Sequence, residues 1–209
     1  MHSVSDIPEK NNSFIHTGLV IPIDETDVDT DKIIPALFLT TVVKKGLGKH
    51  LFDRVRKENA RAYPVDDPKY RDASIMLCRP NFGCGSSREH AVWAIQDAGF
   101  KVLVGTTFLD IFVNNAQLNG LWIIQVAPEI MNRLFLESKE KLQTIRVNMA
   151  DKIVQLPWDE DYSFDVDPFY EEIFTKGLDP IRFVSEGKSQ QIRQFENRRK
   201  ANPTGVFVV

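Results

Sequence analysis

Apolar positions in this chain gather into short runs separated by polar stretches that carry glycine and proline. Residues 17–23, 74–79, 101–104 and 121–126 are near-continuous apolar runs of strand length. Between the last three lie two segments at helical spacing. Residues 87–98 place Ala91, Ala94, Ile95 and Ala98 on one face, with Gly99 as the stop. Residues 108–118 read as a second helix. Strand–helix–strand alternation from 74 to 126 favours parallel pairing. Pro128 then opens a helix to about Lys141, in the first-turn position where its missing N–H costs nothing. A strand pair follows at 144–148 and 152–156, around Met149-Ala150-Asp151. Two further helices are expected near 167–176 and 186–199, and the tail ends in Val206-Phe207-Val208-Val209.

The remaining stretches lack such periodicity. Residues 1–13 read as a loose leader, 24–31 as an acidic turn-rich segment and 36–53 as short amphipathic pieces interrupted by Gly46 and Gly48. Residues 54–73 are charged, carry Pro64 and Pro68, and read as a mobile loop. The pattern predicts an α/β domain over 14–165, with 24–73 as a mobile loop region, and a C-terminal helical extension with tail over 166–209.

Composition narrows the function classes. At 43% apolar and 26% charged residues the chain can bury an ordinary core. A formal charge of −3 argues against nonspecific binding to nucleic acid or an anionic membrane. No apolar run reaches the roughly 20 residues that span a bilayer. Two cysteines imply no disulfide framework, which suits a reducing cytoplasm. Cys78 and Cys84 lie six residues apart, a spacing that fits neither a zinc nor an iron–sulfur signature. The acidic string Asp24, Glu25, Asp27, Asp29, Asp31 lacks the glycine and final glutamate of a calcium loop and reads as a solvated turn. Lys44, Lys45, Lys49 and Arg54 form a basic cluster beyond it, read as a wet surface.

The most informative segment is Asn81-Phe82-Gly83-Cys84-Gly85-Ser86-Ser87-Arg88-Glu89-His90, where a strand runs into a glycine turn and a helix leaves it. Gly83 and Gly85 allow conformations closed to other residues and let a ligand approach the backbone. Ser86 or Ser87 is placed to cap the helix. The first-turn N–H groups favour an anion, and the Arg88 guanidinium is a planar fork that suits a carboxylate or phosphate. Gly83, Cys84 and Gly85 would form the backbone of this anion turn. A plain structural turn with a cap is the competing reading; two hydroxyls and an arginine in one turn argue against it.

This decapeptide closely resembles the swivelling-domain motif of the aconitase superfamily, in the form with Cys84 between the glycines that marks the small subunits of bacterial 3-isopropylmalate dehydratases. His16-Thr17-Gly18-Leu19-Val20-Ile21-Pro22, Asp29-Thr30-Asp31-Lys32-Ile33-Ile34-Pro35, Phe108-Leu109-Asp110-Ile111-Phe112 and Gly177-Leu178-Asp179-Pro180-Ile181 resemble other segments of those subunits. The likeness extends over about residues 14–200. It implies a swivelling β/β/α-type domain with a mostly parallel central sheet. It also implies isomerisation of 2-isopropylmalate to 3-isopropylmalate by loss and re-addition of water, a hydro-lyase step in leucine biosynthesis. The partner it implies is a large subunit holding a [4Fe–4S] cluster, whose open iron binds the substrate hydroxyl and a carboxylate; this chain would bind no cofactor or metal itself. By position Ser86 matches the base, Arg88 acts at the catalytic site, and Ser87 and Arg88 hold that serine and the carboxylate of a small dicarboxylate substrate. Asp29, Thr30 and Asp31 match the loop that enters the shared site.

The chain departs from that pattern where Ala36-Leu37 replaces a usual Lys-Gln, Val92 replaces a proline, and Ile123 and its neighbours replace a Leu-Pro pair. Ala36-Leu37 keeps two alternatives open: a related hydroxy diacid as substrate (a methylmalate–citraconate or homoaconitate type), and a non-catalytic regulatory relative that binds a large-subunit-like partner. A serine hydrolase is disfavoured, because no Gly-x-Ser-x-Gly elbow is present and His2, His16 and His50 suggest no triad.

Overall fold

The structure is a computed structural model that describes residues 14–58, 63–171 and 189–201. The chain divides into two compact units, Met1–Asp167 and Pro168–Val209. The first holds a seven-stranded sheet: β1 (Ile15–Ile23), β2 (Ala73–Cys78), β3 (Val102–Gly105), β4 (Trp122–Gln125), β5 (Thr144–Asn148), β6 (Ile153–Gln155) and β7 (Asp161–Ser163), in the order β4-β3-β2-β1-β5-β6-β7. β1 to β4 form a parallel block, and β5 to β7 continue from β1 as an antiparallel meander.

Burial follows that division. β3 is buried at every residue and β2 at five of six, as expected of parallel strands covered on both faces. β5 alternates exposed and buried positions, the mark of a strand with one wet face. The helices are α1 (Thr30–Ile33), α2 (Asp53–Glu58), α3 (Glu89–Asp97), α4 (Asp110–Leu118) and α5 (Pro128–Glu140), with α6 (Ser189–Ala201) in the second unit. α5 packs on β1 and β2, and α3 packs on α1 and α4. Among the described residues no helix is long and apolar enough to cross a membrane.

The second unit, described by itself, contributes α6, whose last turn carries Arg198, Arg199 and Lys200. The helix expected near 167–176 falls mostly outside the described residues, as do the leader and the Val206–Val209 tail.

Several expectations shift. α3 starts at Glu89, two residues after the anticipated start at Ser87. The acidic turn hides α1, capped by Asp29, whose side chain accepts from Lys32 N at 2.6 Å. Residues 54–73 contain α2 and 3-10 turns at Pro64–Asp66 and Pro68–Tyr70, with Val55 and Tyr63 buried. The strand β7 was not foreseen; three residues with only the middle one half-buried leave almost no periodic signal. Val92, in place of a proline, is fully buried inside α3.

Candidate active site

Parallel strands bring the loops that follow them to one edge of the sheet, where α/β proteins place their ligands. Here the segments leaving β1, β2 and β3 meet there. Isolated bridges pair Asp29 with Cys84 and Phe82 with Phe108, so the ladders continue past the strand ends. Asp27 and Asn81, both in the left-handed region (φ 55° and 63°), are joined by Asn81 Nδ2 donating to Asp27 Oδ1 at 2.8 Å. Asn and Asp tolerate that conformation better than other side-chain-bearing residues, and their bond locks the two turns together.

The glycine turn lies on this platform. Gly83 has φ 79°, and a Cβ there would sit 2.3 Å from Phe112 Cγ. Only glycine lets the turn pass over that ring, which packs edge-on against Phe82 with centroids 5.8 Å apart. The Gly83 N–H donates to Val28 O at 2.7 Å. It is therefore spent inside the protein and unavailable to an anion, a correction to the expected donor set. The N–H groups of Gly85, Ser86 and Ser87 meet no protein acceptor among the described residues.

Thr30 changes its assignment as well. Only 3% exposed, it donates from Oγ1 to Ser86 O at 2.7 Å, and its N–H donates to Cys84 O at 3.0 Å. It holds the turn from beneath and offers no surface to a substrate. Neither Ser86 nor Ser87 caps α3; Arg88 occupies the N-cap position without a side-chain cap bond. Ser87 Oγ instead accepts from Asn115 Nδ2 of α4 at 3.1 Å. Ser86 is exposed, and its hydroxyl meets no partner among the described residues. Glu89 accepts from Asn119 Nδ2 at 2.9 Å, and His90 Nε2 donates to Thr41 O at 2.8 Å, so both fasten α3 to its neighbours.

Arg88 and Asp31, expected on separate grounds, are in contact. Arg88 Nη1 donates to Asp31 Oδ1 at 2.6 Å and lies 3.5 Å from Ile34 O. The Arg88 guanidinium holds the Asp31 carboxyl below the usual carboxylate range. Arg54 Nη1 reaches the other oxygen, Oδ2, at 3.2 Å. The basic cluster read from sequence is thus divided: Arg54 turns to Asp31, and Lys44 turns to Asn119 and the Trp93 ring.

The acidic string is committed piece by piece. Asp24 pairs with Arg79 and Lys139, Glu25 with Lys32, Asp27 with Asn81, Asp29 with the start of α1, and Asp31 with the two arginines. Among the described residues no group of three or more His, Cys, Asp and Glu side chains could hold a metal ion. Burial pushes the Cys78 thiol far up inside β2; Cys84 is raised by partial burial and then by Asp29 and Asp27. Neither thiol is an activated nucleophile.

An exposed hydroxyl, free backbone donors and an anchored guanidinium on one lip of an α/β sheet can accept a proton beside a bound carboxylate. Residues 11–129 match the aconitase C-terminal domain family. The 3-isopropylmalate dehydratase small subunit of Marinobacter nauticus is 40% identical over 206 residues, covering 92% of this chain and 95% of that protein. That of Aromatoleum aromaticum is 39% identical over 206 residues, covering 91% and 96%. A crystal structure of 3-isopropylmalate dehydratase (leuD) from Methanocaldococcus jannaschii shares the fold, with TM-score 0.62 and 24% identity, covering 86% of this chain and 99% of that one. The chain belongs to the aconitase C-terminal domain family and, within it, to the group of 3-isopropylmalate dehydratase small subunits.

Proposed function

We propose that the chain is the proton-handling subunit of a cytoplasmic 3-isopropylmalate dehydratase, interconverting 2-isopropylmalate and 3-isopropylmalate by removing and restoring water, and active only with its large subunit. The observation that carries this reading is the shared exposed lip: Ser86 stands free, two positions from an arginine that is already anchored.

Ser86 accepts the proton from the carbon beside a substrate carboxylate. A serine hydroxyl is a poor base unless its alkoxide is stabilised. The N–H groups of Gly85, Ser86 and Ser87 and the Arg88 cation provide that once a partner excludes water. Of the Arg88 donors only Nη1 is engaged among the described residues, which leaves the rest of the fork for the substrate carboxylate. Ser87, tied to Asn115, and Asp31, tied to Arg88, hold the reacting groups in register.

The residues of this chain do not fit an iron–sulfur cluster. A cluster takes three or four thiolates, and this chain has Cys78, sealed in β2, and Cys84, held in the glycine turn. The cluster belongs to the large subunit, and Lewis-acid assistance at the leaving hydroxyl is its contribution.

The decisive experiment is coexpression with the large subunit, followed by ultraviolet detection of the unsaturated diacid intermediate. The pair is expected to turn over isopropylmalate, and the free chain to turn over nothing. Turnover by the free chain with stoichiometric iron, or an assembled but inert pair, refutes the proposal. The second outcome favours the regulatory relative. The panel includes methylmalate- and homoaconitate-type diacids, because Leu37 stands exposed beside Ala36, whose N–H donates to Asp31 Oδ1 at 3.2 Å. An uncharged side chain there removes one possible cation partner for a substrate carboxylate.

Replacement of Arg88 by lysine is expected to lower kcat/KM about 10- to 100-fold, the worth of one charge-assisted hydrogen bond. A point charge cannot hold Asp31 and a substrate carboxylate in one plane. Steady-state kinetics of the assembled pair checks this, and unchanged efficiency would make Arg88 a purely structural residue.

A further inference from the structure

We infer that Arg54 is a positioning residue for substrate binding: by taking one oxygen of Asp31, it keeps the Arg88 cation available to a substrate carboxylate. The inference rests on the proposed role of Arg88 and extends it to a residue outside the motif.

The Asp31 carboxylate stands between two guanidiniums. Oδ1 accepts from Arg88 Nη1 at 2.6 Å and from Ala36 N at 3.2 Å, while Oδ2 accepts from Arg54 Nη1 at 3.2 Å. Side-chain exposure falls inward along this string, from 48% at Arg54 to 34% at Asp31 and 19% at Arg88. Arg54 is delivered there by packing. The Phe52 N–H donates to Ile33 O at 2.8 Å, which clamps the start of α2 onto the end of α1, and Leu51 and Phe52 are buried beneath. Asp53, the neighbouring carboxylate, turns instead to Lys57 and His50.

The charge balance of the lip gives this contact its function. Asp27 and Asp29 flank the glycine turn. Without Arg54, Arg88 and Asp31 would cancel, and the lip would present the charge of Asp27 and Asp29 to an incoming dianion. With Arg54, two cations share one carboxylate, and the surplus lies at the Arg88 fork. Such a contribution is small in open water and grows when a partner closes over the site.

The test uses the assembled pair. Arg54→Ala is expected to raise KM for the dicarboxylate about threefold to tenfold, with kcat within about twofold, and to flatten the rise of KM with ionic strength. Arg54→Lys should stay within about twofold in KM, since a point charge suffices to neutralise an oxygen. Arg54→Glu should exceed the alanine effect. Wild-type KM in both Arg54→Ala and Arg54→Glu overturns the inference. So does an unchanged KM coupled to a lower melting temperature of the free chain, which would make the contact only structural. Arg88→Ala separates the two levels: full turnover there removes the reading on which the inference rests, whereas loss there beside inert Arg54 variants removes the inference alone.

Discussion

Ser86→Ala in the assembled enzyme is expected to cut kcat by about 10²- to 10⁴-fold, the range spanned by a general base, while leaving the pair intact. The structure makes this a clean substitution. The Ser86 side chain is exposed and makes no hydrogen bond among the described residues. Its backbone is held independently, by Thr30 Oγ1 on Ser86 O and by the glycine conformations before it. Removing one oxygen therefore deletes chemistry without loosening the turn. Single-turnover kinetics together with size-exclusion of the complex checks both halves. Near-normal turnover would take Ser86 out of the proton transfer.

The largest effect on stability is expected from Gly83→Ala. The added Cβ would lie 2.3 Å from Phe112 Cγ and 2.6 and 2.7 Å from the two Cδ atoms, and Phe112 is 1% exposed with nowhere to retreat. Overpacking of this kind costs about 1–3 kcal/mol, and the left-handed φ of 79° adds about 1–2 kcal/mol for any side chain. A fall in melting temperature of about 10 °C follows for a chain of this size. Gly46→Ala is the control: its φ is 93°, but a Cβ there meets nothing within 4 Å, so only the conformational part, about 1–2 kcal/mol, is lost. Thermal unfolding of the free chain measures both. Equal shifts in the two variants would show that Phe112 yields to the new methyl group.

These two positions mark how far the chain could be read before its fold was seen. The parallel block was legible because strands buried on both faces are written as continuous apolar runs, as at Ile75–Cys78. The apolar face of α3 was legible from Ala91, Ala94 and Ile95, all fully buried. Its start was not: two serines resemble a cap, yet their atoms answer to Thr30 and Asn115, 56 and 28 positions away. Asp29 as the cap of α1 was readable in principle, since an Asp ahead of a short apolar run is a start signal, but the surrounding acids masked it. The motif pointed to Ser86 and Arg88. No local pattern announces that Arg88 leans on Asp31, 57 residues earlier, that Arg54 joins them, that Asn115 fastens the turn to α4, or that Asn119 at the end of α4 holds Glu89 of α3.

The place of β1 in the sheet bears on how the polypeptide matures. β1 pairs with β2 through Leu19↔Ala73 and with β5 through Ile15↔Asn148, so the first strand among the described residues waits for partners that are synthesised well after it. Loop closure over such separations slows folding and leaves unpaired strand edges exposed meanwhile. A nascent chain halted before residue 144 would carry β1 with its Ile15–Leu19 ladder open, a template for joining neighbouring copies. Protection of that edge during synthesis is thus expected from topology, set by the same central strand that later carries the proposed catalytic lip.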